Sequence, residues 1–89
     1  WAVAEHARAA KIPIVIGAQV GETSILTRAA LTIAGQFTDI LVAQEGAFGT
    51  YLLDHDIIDP PLMFGKEGVL DSHCLLDRPG LGLTPAKSL

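Results

Sequence analysis

Apolar and polar positions along the chain alternate between two periods. In "WAVAEHARAA", residues 1–10, Val3, Ala7 and Ala10 recur at helical spacing, which predicts a helix with an apolar stripe. Alanine, the best helix former, supplies four of these ten positions besides Ala10 itself. Lys11 follows, where a cation suits the C-terminal end of a helix dipole. "IPIVIG", residues 12–17, is short, β-branched and apolar throughout. That pattern predicts a strand covered on both faces, with Pro13 at its start, where a missing N–H costs least. A second helical pattern runs through "SILTRAALTIAG", residues 24–35. Thr23 or Ser24 is placed to cap it, Gly35 to end it, and Ile25, Leu26, Ala29, Ala30 and Ile33 form its expected inner stripe. "DILVAQ", residues 39–44, predicts a second strand.

Helix, strand, helix and strand with short connections imply an α/β fold with parallel strands and right-handed crossovers. After Glu45 the period is lost. Residues 46–89 carry glycines, the Pro60-Pro61 pair, short apolar runs and a turn-rich "RPGLGLTP" at 78–85. One short strand is expected within "GVLDSHCLL", residues 68–76. The expected organisation is therefore residues 1–45 as a regular α/β portion and 46–89 as an irregular, apolar wrap. Two parallel strands do not make a stable sheet alone, so they must join a larger one.

Composition sharpens that expectation. The chain has 89 residues, 49% of them hydrophobic, and its mean hydropathy is +0.41. A domain of this size buries only about 60 to 65% of its unfolded surface. So much apolar side chain implies packing against other chains or membership of something larger, and a start at Trp1 rather than Met suggests a processed or cut end. The net charge is −4, and the six Lys and Arg are scattered singly. Without a basic patch, a nucleic-acid partner is not expected. No apolar run is long enough to span a membrane. The single cysteine, Cys74, precludes an internal disulfide and fits a reducing, cytoplasmic compartment. It reads as a small buried hydrophobe, since His73 beside it matches neither a zinc spacing nor a catalytic motif.

The strand-to-helix junction "GAQVGETS", residues 17–24, raises the question of a phosphate loop. A P-loop needs G-x-x-x-x-G-K-[ST]. Here the glycine spacing is one residue short, and Glu22 stands where the lysine would be. A carboxylate aimed at phosphate repels it, so a small phosphate-binding module is the weakest of the functional readings. Asp54, His55, Asp56 and Asp59 have metal-ligand chemistry on paper. Acidic residues before Pro-Pro are also ordinary turn formers, and that reading is preferred.

Taken in order, the motifs resemble the C-terminal end of the enolase superfamily, in its mandelate racemase and muconate-lactonising branch. An alanine-rich helix leads to an apolar strand ending in "GAQVGETS". The alanine-rich "ILTRAALTIAG" follows, then a strand ending in Glu45, then "LLDHDIIDPPLMFGKEGVL" and "PGLGL". The resemblance covers nearly the whole chain. It implies the C-terminal part of a TIM-type (β/α) barrel: the last two β/α units plus a segment returning toward a capping domain. A complete barrel takes about 250 residues, so this portion is incomplete on its own.

Enzymes of this family abstract a proton next to a carboxylate and stabilise the enolate with Mg2+, using lysine or histidine as base. The resemblance therefore implies a parent racemase, epimerase, cycloisomerase or dehydratase acting on a small carboxylate. It places the site at the C-terminal strand ends. Glu45, at the end of the final strand, is the first candidate catalytic residue. In some members such an acid donates a hydrogen bond to the substrate carboxylate, which requires protonation, and burial beside an anion would favour it. Its bland alternative is a solvated carboxylate at a loop start. Glu22 is a second candidate, with the alternative of an acid serving the first turn of the helix. Gln19 and Gln44 are candidate substrate-binding residues, although Gln44 is expected to point toward the helix layer if Glu45 points inward. The three magnesium-binding acids and the lysine bases would belong to strands outside this stretch. This chain alone is then expected to hold no metal and to be inactive. The competing reading is a non-enzymatic, truncated α/β domain that forms homo-oligomers through exposed apolar faces.

Overall fold

The computed structural model describes residues 1–19, 22–46, 52–62, 64, 70 and 77–87. His73, Cys74 and most of the strand expected within 68–76 lie outside the described residues. The elements are α1 (Ala2–Ala9), β1 (Ile14–Ile16), α2 (Ser24–Gln36) and β2 (Leu41–Gln44). Among the described residues these elements make a small α/β unit of two helices, α1 and α2, and a two-stranded parallel sheet.

Helix α1 closes in a Schellman motif. The Ile12 N–H donates to the Ala7 carbonyl at 2.9 Å, and the Lys11 N–H to that of Arg8 at 3.1 Å. This turn places Lys11 in the left-handed region at φ 58°, a conformation that glycine adopts more readily. The apolar stripe expected at Val3, Ala7 and Ala10 is not the face that packs. Val3 is 81% exposed and Ala4 is buried. The reason lies in Trp1 and Arg8, which share Ala4's side of the helix by i, i+3 and i+4 spacing. Both grip Phe37: the Trp1 ring meets it edge-on at 5.2 Å, and the Arg8 guanidinium lies 4.3 Å from its centroid. Arg8 also donates to both carboxylate oxygens of Asp39, at 3.1 and 2.8 Å, and to the Gln36 carbonyl. Phe37, 1% exposed, is the anchor around which α1 and the end of α2 meet.

Strands β1 and β2 pair in parallel, with Ile14 opposite Leu41, Val15 opposite Ala43 and Ile16 opposite Gln44. The register shifts by one between the first two pairs, leaving Val42 as the extra residue. Burial along the strands separates the two sides of the sheet. Ile14, Ile16, Leu41 and Gln44 are half-buried, whereas Val15 and Val42 are 59% and 69% exposed. The expected cover on both faces is therefore not supplied by the described residues.

Two expectations about α2 are corrected. Gly35 does not end the helix, which runs on to Gln36 and is capped at Phe37, whose N–H donates to the Ile33 carbonyl at 3.1 Å. Gly35 has no left-handed φ and so makes no glycine cap. The buried residues of the helix are Ser24, Thr27, Arg28 and Ala34, whereas Leu26 is 53% exposed and Ala29 is also exposed. Ile25, Ala30 and Ile33 are half-buried. The polar side is covered because the C-terminal segment docks there and bonds to Ser24 and Arg28, whereas the buried Thr27 hydroxyl has no hydrogen-bond partner among the described residues. Leu62 and Asp56 bond to Ser24, and the Leu81 carbonyl accepts the Arg28 Nε–H at 2.9 Å.

After β2, among the described residues, Leu52 is helical and the other regular pairing is an isolated bridge. The wrap is tied to itself instead. Ile58 and Pro85 form an antiparallel bridge, flanked by Asp59 N–H to the Thr84 carbonyl at 2.9 Å and Ala86 N–H to the Ile57 carbonyl at 2.8 Å. The "PGLGL" stretch makes the reversal that permits this. Gly82 N–H donates to the Pro79 carbonyl at 3.1 Å, with Gly80 and Gly82 at φ 62° and 72°. Ile58 and Leu62 are the buried apolar side chains of this segment among the described residues.

Candidate functional site

The parallel pairing brings the C-terminal ends of β1 and β2 side by side. There the Glu45 N–H donates to the Ile16 carbonyl at 2.8 Å, extending the ladder one step past β2. The Glu45 side chain reaches back across the gap, and its Oε2 accepts the Ala18 N–H at 2.9 Å. A side chain at Gly17 would sit 3.5 Å from the same oxygen. Glu45 is exposed, so burial of its carboxyl would have to come from groups other than those described.

Glu22 lies one residue before the helix N-cap, Thr23, and the first turn of α2 contains no acid. The expected service of Glu22 to that first turn is therefore corrected. Its Oε1 instead accepts the Gln19 N–H at 2.7 Å, and its own N–H donates to the Gln19 carbonyl at 3.4 Å. Glu22 and Gln19 are thus brought together by these two bonds. Gln19 itself is exposed. Gln44 is brought to neither. It pairs with Ile16, and its Nε2 is buried with no hydrogen-bond partner among the described residues. Gln44 is half-buried and Glu45 exposed, as adjacent positions at a strand end facing opposite ways require.

The anion that completes the α2 N-terminus comes from elsewhere. Neither Thr23 nor Ser24 caps the helix with its side chain in the usual way. Asp56 Oδ2 accepts the Ser24 N–H at 2.9 Å and the Ser24 hydroxyl at 2.6 Å. Its Oδ1 accepts the Ile58 N–H at 2.9 Å, a local Asx turn. The Asx turn is a visible signal in "DHDIIDPP"; the pairing with Ser24 has none. Two N–H groups of the β1–α2 connection, on Ala18 and Gln19, and that of Ser24 at the start of α2 thus each meet a carboxylate of the chain itself. A phosphate at this loop would have to displace those carboxylates against their charge.

Among the described residues no three His, Cys, Asp or Glu side chains converge as a metal-binding group. Glu22 and Glu45 each engage one oxygen with the main chain, and Asp56 engages both. Two open grooves occur away from the strand C-termini. One, of about 540 Å³, is lined by Arg8, Lys11, Pro13, Asp39 and the start of β2. The other, of about 400 Å³, is lined by His55, Asp56, Asp59, Pro61 and Lys87 among others. Neither is lined by Gln19, Glu22, Gln44 or Glu45. Among the described residues no helix is long and apolar enough to cross a membrane.

No family model, curated protein or solved structure matches this chain.

Proposed function

We propose that this chain is the closing portion of a (β/α) barrel enzyme of the mandelate racemase and muconate-lactonising branch of the enolase superfamily. The observation that carries the reading is the contact between Glu45 Oε2 and the Ala18 N–H, made across the adjacent C-terminal ends of two parallel strands. In a barrel those ends form the rim where substrate binds. Glu45 would bond to the carboxylate of a small substrate, in a parent that is a racemase, epimerase, cycloisomerase or dehydratase. Glu22 and Gln19 would shape the loop that holds Glu45, and Gln44 would face the helix layer. Mg2+ would supply charge stabilisation to the enolate, held by acids on strands that precede these residues, as would the lysine base. A cytoplasmic setting and no nucleic-acid partner accord with one cysteine and a net charge of −4.

The test begins with the gene. The reading frame that encodes these residues should continue upstream into three strand-end acids and a Lys-x-Lys. The full-length protein should then exchange the α-hydrogen of a carboxylate for deuterium in D2O, dependent on added Mg2+. Glu45→Ala should slow that exchange by about 10- to 10²-fold, the scale of one hydrogen bond to a charged group, and Glu45→Gln, which keeps a donor, should retain more of it. An upstream region without those acids and lysines would sink the proposal.

A second reading, a non-enzymatic domain that self-associates, is favoured by the exposure of Val3, Val15, Leu26 and Val42. Such apolar faces call for cover, whether from the remaining strands of a barrel or from further copies of the chain. Light scattering on the 89-residue chain should report an oligomer. A monodisperse monomer with cooperative unfolding would overturn that reading. A phosphate-binding module is disfavoured because the Ala18, Gln19 and Ser24 N–H groups are already bonded to carboxylates.

A further inference from the structure

We draw no further inference here: the strongest candidate, the exposed apolar face of the two-stranded sheet at Val15 and Val42, carries nothing because nothing in the structure shows what covers it.

Discussion

Asp56 closes the N-terminus of α2 from 32 residues away, through bonds from both the N–H and the hydroxyl of Ser24. Ser24 is fully buried, and its Oγ also accepts the Leu62 N–H at 2.7 Å. One hydroxyl thus joins the helix start to two points of the C-terminal wrap. Removing it strands a buried donor, which costs about 1–3 kcal/mol. Ser24→Ala should therefore destabilise the protein by about that amount in urea unfolding, and Asp56→Ala should do so through the lost cap, at about 1–2 kcal/mol. Because they share one network, the double variant should lose less than the sum. Strict additivity would show that the two contacts act independently.

Gly46 and Phe64 give a steric prediction. A Cβ on Gly46 would lie 2.8 Å from Phe64 Cδ2 and 3.0 Å from Cγ. Either the ring or the chain beyond β2 must move, at about 1–3 kcal/mol for an overpacked site. Gly46→Ala should lower the unfolding midpoint, and adding Phe64→Ala should recover part of that loss. At Gly17 the same added methyl meets Glu45 Oε2 at an ordinary 3.5 Å, so Gly17→Ala should be tolerated far better. Equal penalties at the two glycines would count against this packing.

Lys11 is the one non-glycine residue with positive φ among the described residues. An L-residue in that region is strained by about 1–2 kcal/mol, and glycine offsets part of the relief through its unfolded-state freedom. Lys11→Gly should raise stability by about 0.5–1 kcal/mol, while Lys11→Ala should give no such gain. A destabilised glycine variant would contradict the Schellman geometry of this turn.

The Asp39 carboxyl is held below the ordinary aspartate range, chiefly by its side-chain hydrogen bonds from Arg8. A depressed folded pKa means that the contribution is fully present above the unfolded value, about 3.9, and is lost as pH falls through the folded one. The pair is exposed, so its effect on stability should be small and weakened by salt. An NMR titration of Asp39 should show the low pKa, and Arg8→Met should move it upward. An unmoved titration would assign the shift to another cause. Arg8→Lys should not restore the arrangement, since lysine lacks the fork that reaches Asp39 and Gln36 while stacking on Phe37.

Local pattern and distant contact divide the information in this chain. The order helix, strand, helix, strand was legible because each element carries its own period or β-branched run, as "IPIVIG" and "ILTRAALTIAG" do. The adjacency of Glu45 to the β1 loop followed from parallel pairing, but its bond to Ala18 did not. The expected face of α2 was misplaced because hydropathy alone treats Ser24, Thr27 and Arg28 as outward residues. Ser24 and Arg28 are buried where Asp56, Leu62 and Leu81, all more than 30 residues away, bond to them, and Thr27 is buried without a partner for its hydroxyl among the described residues. Likewise, Gly35 reads as a stop only if its backbone turns left-handed; it does not, and the helix runs on to Gln36 with Phe37 as its cap.

The amino-acid sequence by itself determined the α/β alternation, the turn-forming glycines of "PGLGL" and the carboxylates available at the strand ends. Tertiary structure alone decided which helix faces are buried, the one-residue shift at Val42 and the use of Asp56 as the helix cap. The physical reason is range. Periodicity records contacts within a few residues, whereas burial of Ser24 and Arg28 depends on partners that arrive from more than 30 residues away to bond them.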